Sequence, residues 1–173
     1  MNSVFVNRII RACKLDVSLY EEAEADTSAT FQAALVVGLS SLSAGVGAIS
    51  LGASNFLIAP ILSLVSWYVW AYLIYIIGAK LFPEPNTKAD HGELLRTIGF
   101  SSAPGLIRVF RFTPDLMSIT FIGGGIWMLV AMVIAVRQAL DYESTWRAIG
   151  VVVIGFLVQA IVLIFLLRIF GQS

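Results

Sequence analysis

The 173-residue chain is 58% apolar and only 13% charged, with 11 Lys and Arg balanced by 11 Asp and Glu. Soluble domains carry roughly 25% charged residues, so this composition excludes an ordinary soluble domain, and zero net charge without a basic patch excludes a nucleic-acid partner. One cysteine, Cys13, excludes an intramolecular disulfide and any Cys-rich metal site.

The charges are unevenly spread. None occurs from Thr27 to Ala79, from Leu116 to Val136, or from Ala148 to Leu167. A bilayer core takes about 20 predominantly apolar helical residues, so the first run holds two spans and the others one each. The expected organisation is an N-terminal amphipathic and acidic segment, residues 1–26, followed by a helical transmembrane bundle, residues 27–173. No continuous apolar stretch precedes Thr27, so the sequence reads without a secretory signal.

In chain order, residues Ser3 to Lys14 predict an amphipathic helix. Val6, Ile10, Cys13, Val17 and Tyr20 recur at helical spacing, with Asn7, Arg8, Arg11 and Lys14 on the other side. Such a helix lies in a membrane interface or packs on the protein. "Ser18-Leu-Tyr-Glu21" has capping-box spacing, and a short acidic helix "LYEEAEAD" follows. The first span is expected over residues 28–50. Small residues line it in two rows, Ser40, Ala44 and Ala48 in one and Ser43 and Gly47 in the other, which let helix backbones approach closely.

The second span is expected over residues 56–79, with Trp67 and Trp70 packed between helices. Two prolines mark the loop "LFPEPNTKADHGELL", and Asp90 and Glu93 have capping-box spacing. The helix they start, residues 91–112, is expected as a short third span kinked at Pro104, with Arg108 and Arg111 snorkelling to the far surface. A helix lying on the membrane is the alternative. The fourth and fifth spans are expected over residues 116–137 and 144–170. The fold class is therefore an all-α membrane protein, a five-helix transmembrane bundle with an N-terminal amphipathic helix.

With five spans, one side holds Arg8, Arg11, Lys14, Lys80, Lys88, Arg96, Arg137 and Arg147, against Arg108, Arg111 and Arg168 on the other. The excess of cations faces the cytoplasm, which puts the N-terminus there and the C-terminus outside. A four-span chain keeps the N-terminus inside but returns the C-terminus to the cytoplasm. The five-span arrangement gathers Glu21, Glu22, Glu24 and Asp26 on one face with Arg137, Asp141 and Arg147. These residues are expected to form a polar latch that ties the N-terminal segment to the ends of the spans; a docking surface for another protein is the sharper reading.

Catalysis finds no support. No carboxylate, His, Lys or Arg falls mid-span, Ser101 and Ser102 lack a nucleophile-elbow frame, and "GGG" at 123–125 lies inside a span. Asp90, His91 and Glu93 are better explained by capping than by metal binding. No cofactor is expected. A transport role would draw on Gln32, Asn55, Gln159 and the hydroxyls of the first span, and no inverted repeat supports it.

At "RACKLDVSLYEEAEAD", "GFSSAPGLIRVF" and "VRQALDYESTWRAIGV" the sequence resembles the bacterial YIP1-family membrane proteins, from about Arg11 to Val162. The resemblance implies a five-helix integral membrane protein of the bacterial cytoplasmic membrane with a cytoplasmic N-terminus. Eukaryotic relatives are associated with Rab GTPases and vesicle trafficking and carry an Asp-Leu-Tyr-Gly-Pro type motif before the first span. Here "Ser18-Leu-Tyr-Glu-Glu22" keeps Leu-Tyr and loses Gly-Pro, so neither a GTPase role nor any functional residue carries over. The expected function is a non-enzymatic scaffold or accessory subunit, in contact with the bilayer and with other membrane subunits or itself. The alternative is an oligomeric channel or transporter subunit for a small molecule or ion.

Overall fold

A computed structural model describes residues 2–45, 53–110 and 114–170. All regular structure among them is helical. Two short helices come first, α1 (Asn2–Cys13) and α2 (Val17–Ala25). Next is α3 (Ala29–Gly45), then α4 (Ala53–Tyr75), which continues as a π-helix, Ile76–Leu81. After the proline loop, α5 (His91–Phe100) leads into a 3-10 helix, Ala103–Val109. Two long helices close the chain, α6 (Pro114–Ala139) and α7 (Thr145–Phe170).

Three segments are long and apolar enough to cross a bilayer: Ile58–Leu81, Ser118–Ala139 and Thr145–Phe165. Helix α3 is apolar but has 17 described residues, about 26 Å at 1.5 Å per residue. The outer faces of the long helices carry Ile61, Leu62, Ile122, Ile126, Ile161 and Phe165, all well exposed. That is the pattern of helices solvated by lipid rather than water.

The expected continuous helix over 91–112 is replaced by two pieces. Helix α5 ends at Phe100, and the chain turns at Ser101 and Ser102 into the 3-10 helix. Pro104 is the cause: it offers no N–H, and its ring would strike the carbonyl of Phe100 in a continuing α-helix. The start of α5 matches expectation, with Glu93 N donating to Asp90 Oδ1 at 2.9 Å and Asp90 N donating to Glu93 Oε2 at 2.7 Å. The cap of α2 does not. Asp16 rather than Ser18 precedes the helix, its Oδ1 accepting from Ser18 N at 3.0 Å.

Helix α5 is the hub. Seven consecutive residues, Leu94 to Phe100, are buried, and the helix packs against α2, α3, α4 and α6. A short helix buried on every side is central by necessity. One core cluster joins α4, α5, α6 and α7 around Ile74, Leu94, Val136, Leu140 and Val152. The other joins α1, α2, α3 and the α5 segment around Ala12, Leu19, Tyr20, Val36 and Phe100. Trp67 packs against both, and its Nε1 donates to Leu95 O at 3.0 Å.

Lipid supplies little hydrophobic drive between helices, so close approach has to hold them. Gly99 provides it for α3 and α5: a Cβ there would lie 2.6 Å from Ala33 Cβ and 3.2 Å from Ala33 Cα. Gly78 does the same in the π-helix, where a Cβ would lie 2.3 Å from Leu140 Cδ1. The carbonyls of Gly78 and Phe82 face the Tyr142 hydroxyl, at 2.9 and 2.7 Å. One phenol therefore ties the irregular end of α4 to the α6–α7 turn.

Candidate functional site

Polar side chains gather at one end of the bundle, where α2, the start of α5, the π-helix, the end of α6 and the start of α7 meet. Helix α1 folds back onto α2 through a sharp turn. Leu15 adopts a left-handed φ of 59°, while Asp16 N donates to Arg11 O and Leu15 N to Ala12 O. That turn brings two arginines of α1 against the acids of α2. Arg8, only 6% exposed, donates to Glu22 at 2.9 Å, to Asp26 at 2.7 Å and to Gln32 at 3.1 Å. Arg11 bonds Glu22, Asp16 and Ser18.

This wiring differs from the expected one. The acids of α2 take their cations from α1 rather than from Arg137 and Arg147. Arg137 donates instead to the carbonyls of Tyr142 and Glu143 at 3.1 and 3.0 Å. These lie just past its own helix, in a turn where Asp141 has a φ of 52° and Tyr142 N donates to Arg137 O. Arg147 pairs loosely with Glu84 at 3.4 Å. Two other contacts carry α2 across to the bundle. Gln138 Nε2 donates to Glu21 Oε1 at 3.0 Å, and Arg96, 6% exposed, donates to the carbonyls of Ala23 and Glu24. Arg96 thus places a cation on the last turn of α2, where carbonyls lack helical partners and the helix dipole is negative.

Glu21, Glu24, Arg137, Gln138 and Asp141 line a cleft of about 630 Å³, together with Asn86, Lys88 and Tyr142. Here the electrostatics divide. Arg11 and Ser18 hold the Asp16 carboxyl down at about 2, and Arg11 with Arg8 lowers Glu22. Ser28 and Arg8 lower Asp26. Glu24 goes the other way: burial, then Asp141 and Glu93, push it up to about 7 against the pull of Arg96. Glu93 is raised as well, chiefly by burial. Among the described residues no three His, Cys, Asp or Glu side chains gather as metal ligands. His91 lies edge-on to Tyr68 and Tyr72, with ring centroids 4.8 and 5.4 Å away.

The small residues of α3 have a different setting. Ser40 is 4% exposed and lies against Gly105, where a Cβ would come 2.1 Å from Ser40 Oγ. Ser43 is buried and donates to Leu39 O at 2.9 Å. Ala44 lines an inner cavity beside Ser40. Gly47 and Ala48 lie outside the described residues.

Sequence reasoning missed four arginines. Arg8 and Arg11 were read as the outer face of α1, and Arg96 as a surface charge. The i, i+3 spacing of Arg8 and Arg11 against the i, i+4 spacing of Glu22 and Asp26 was a usable signal once a tight hairpin is assumed. Arg108 was expected to snorkel outward, yet it lines the inner cavity with its guanidinium 4.8 Å over Phe121. A Cβ on Gly124 of α6 would touch Ile107 and Arg108, which sets Arg108 level with the middle of that helix. No periodicity reports such a position.

The chain matches the Yip1 domain over residues 19–167. No curated protein and no solved structure matches it. The matched region takes in α3 to α6 and most of α7, with the three helices long enough to cross a membrane, and begins within α2. The fold is that of a multi-pass membrane protein in contact with lipid.

Proposed function

Because the chain belongs to the Yip1-domain family, we propose that it is a non-enzymatic scaffold or accessory subunit of a membrane complex, presenting a rigid polar face on the cytoplasmic side. The observation that carries this reading is the cap. Apart from Asp115 at the start of α6, the acidic residues collect at one end of the bundle, and their bonds join elements far apart in sequence, as Gln138–Glu21 and Arg96–Glu24 do. A polar network that crosses element boundaries fixes a surface in shape and charge, which is what docking of a protein partner requires.

The latch in this reading consists of Glu21, Glu22, Glu24 and Asp26 held by Arg8, Arg11, Arg96 and Gln138, with Arg137, Asp141 and Arg147 on the facing loop. Five crossings fit the geometry. The α5 and 3-10 segment rises roughly 15 Å over ten residues and 14 Å over seven, close to a hydrocarbon thickness of about 30 Å. The crossings leave the capped end rich in Lys and Arg, which supports a cytoplasmic N-terminus and an external C-terminus. A bacterial cytoplasmic membrane is the proposed location, and other membrane subunits or a second copy are the proposed partners.

The test is extraction of the tagged full chain from its own membranes in mild detergent, with mass spectrometry of whatever comigrates. Stoichiometric foreign subunits, lost on Glu21→Lys with Asp141→Lys, are the expected result. A homo-oligomer alone, conducting a solute in reconstituted vesicles, would replace this reading with the channel or transporter one, which the inner cavity favours.

A further inference from the structure

A second feature lies away from the polar cap. Helices α3, α4, α6 and α7 and the 3-10 segment enclose a cavity of about 430 Å³ in the apolar part of the bundle. That volume is in the range of sites that hold small organic molecules. One wall is apolar, with Ile98, Met128 and Met132; the other carries the hydroxyls of Ser40, Ser63, Ser66 and Ser102. Arg108 is the one charged residue that lines it, and no carboxylate does.

The depth of that charge matters. Arg108 lies beside Gly124 and Gly125, and Gly124 is 15 residues from Ala139 at the polar end of α6 (139 − 124), about 22 Å along the helix. A cation so deep in a bilayer is costly, and such residues mark ligand or ion sites. An independent observation points the same way. Trp70 lines the cavity and is 7% exposed, and its indole Nε1 is buried with no acceptor in the protein. A buried N–H without a partner costs about 1–3 kcal/mol, and a bound acceptor recovers it.

We propose that this cavity binds the anionic head group of a membrane lipid, with Arg108 supplying the charge and the serine hydroxyls and Trp70 Nε1 the neutral donors. Phosphate is the head-group chemistry that matches a guanidinium ringed by hydroxyls and an N–H, all of them donors. The cavity is lined at its rim by Ser66, Phe156 and Gln159, all exposed, and their neighbours Val65 and Leu157 face outward at 56% and 59% exposure. An acyl chain therefore leaves between α4 and α7 directly into lipid. A free inorganic ion would fill the polar wall and leave the apolar wall uncovered, which is why the lipid is the occupant. The inference is independent of the scaffold reading, since no residue of the polar cap takes part.

The experiment is native mass spectrometry of the purified full chain in detergent, titrated with phosphatidylglycerol and in parallel with phosphatidylcholine, each with and without inorganic phosphate. Phosphatidylglycerol should be retained about tenfold better than phosphatidylcholine, the size of one charge-assisted contact. Arg108→Gln should erase the preference, Arg108→Lys should keep most of it, and Trp70→Phe should lower retention without altering the ring packing on Phe156. Equal retention of the two lipids overturns the proposal. So does a folded Arg108→Gln protein with its preference intact; if Arg108→Gln does not fold, unchanged retention in Trp70→Phe is the overturning result. Displacement of the lipid by inorganic phosphate at millimolar concentration would assign the site to a soluble anion and overturn the lipid reading.

Discussion

At the scale of single residues, three arginines carry more than their number suggests. Arg8 is buried among Glu22, Asp26 and Gln32, so its loss leaves carboxylates facing each other with no cation between them. Removing one partner of a buried ion pair costs about 3–5 kcal/mol. Arg8→Gln should therefore lower the melting temperature of the detergent-solubilised protein by many degrees, whereas Arg147→Gln, whose partner contact is loose and exposed, should change it by little. Arg96→Met keeps the volume but strips the donors from the end of α2, and should cost about 1–3 kcal/mol in chemical denaturation. Glu24 gives a pH signature. Its folded-state pKa, raised to about 7 by burial and then by Asp141 and Glu93, lies above the unfolded value. Its contribution to stability is thus fully present below about pH 4.5 and lost as pH rises through 7. Glu24→Gln should be more stable than the parent at pH 8, and the gap should close by pH 5; a gap that widens on acidification would contradict the assignment. Asp16, Glu22 and Asp26 act in the opposite sense, since their depressed pKa values protect the folded state above the usual carboxylate range and fail as pH falls below it.

At the scale of elements, the long apolar helices and the Asp90 capping box were legible because each is written locally. A span needs an uninterrupted charge-free run, and a cap needs two residues three apart. The α5 segment was half legible: Asp90, Pro104 and the run of small residues announced a short kinked helix, but not that Pro104 would turn its second half into a 3-10 helix. The π-helix at the end of α4 was not legible at all, because it arises where Gly78 meets Leu140 and Tyr142, residues some 60 positions away. Helix α1 followed the amphipathic pattern in its extent, yet its inward residues are Phe5, Ile9, Ala12 and Cys13, and Arg8 lies buried beside them. Local periodicity located the helix; the partner that decides which side faces in lies in α2. Close packing of α3 on α5 gives a direct check. Gly99→Val would force methyl groups into the Ala33 backbone, and overpacking of this kind costs about 1–3 kcal/mol. It should reduce the yield of monodisperse protein, while Gly123→Val, with nothing within 4 Å of the added Cβ, should leave it unchanged.

At the scale of the molecule, one sequence of some 25 residues folds over the end of a helical bundle and is held there by contacts that no short-range pattern encodes. The clustering of acids before the first span and of mixed charge in "RQALDYESTWR" was visible, and with it the suggestion that the two meet. The pairs that join them were not, because Gln138–Glu21 and Arg96–Glu24 depend on the stacking order of α2, α5 and α6. The central claim is that this cap is docked in the membrane-embedded protein. Its most direct test is a disulfide between Glu21→Cys and Gln138→Cys, made in a Cys13→Ala background and oxidised in intact membranes. The account predicts rapid, near-complete cross-linking that a membrane-impermeant thiol reagent blocks only from the side exposed in inverted vesicles. Failure to cross-link in a folded protein, or blocking from the opposite side, would contradict it.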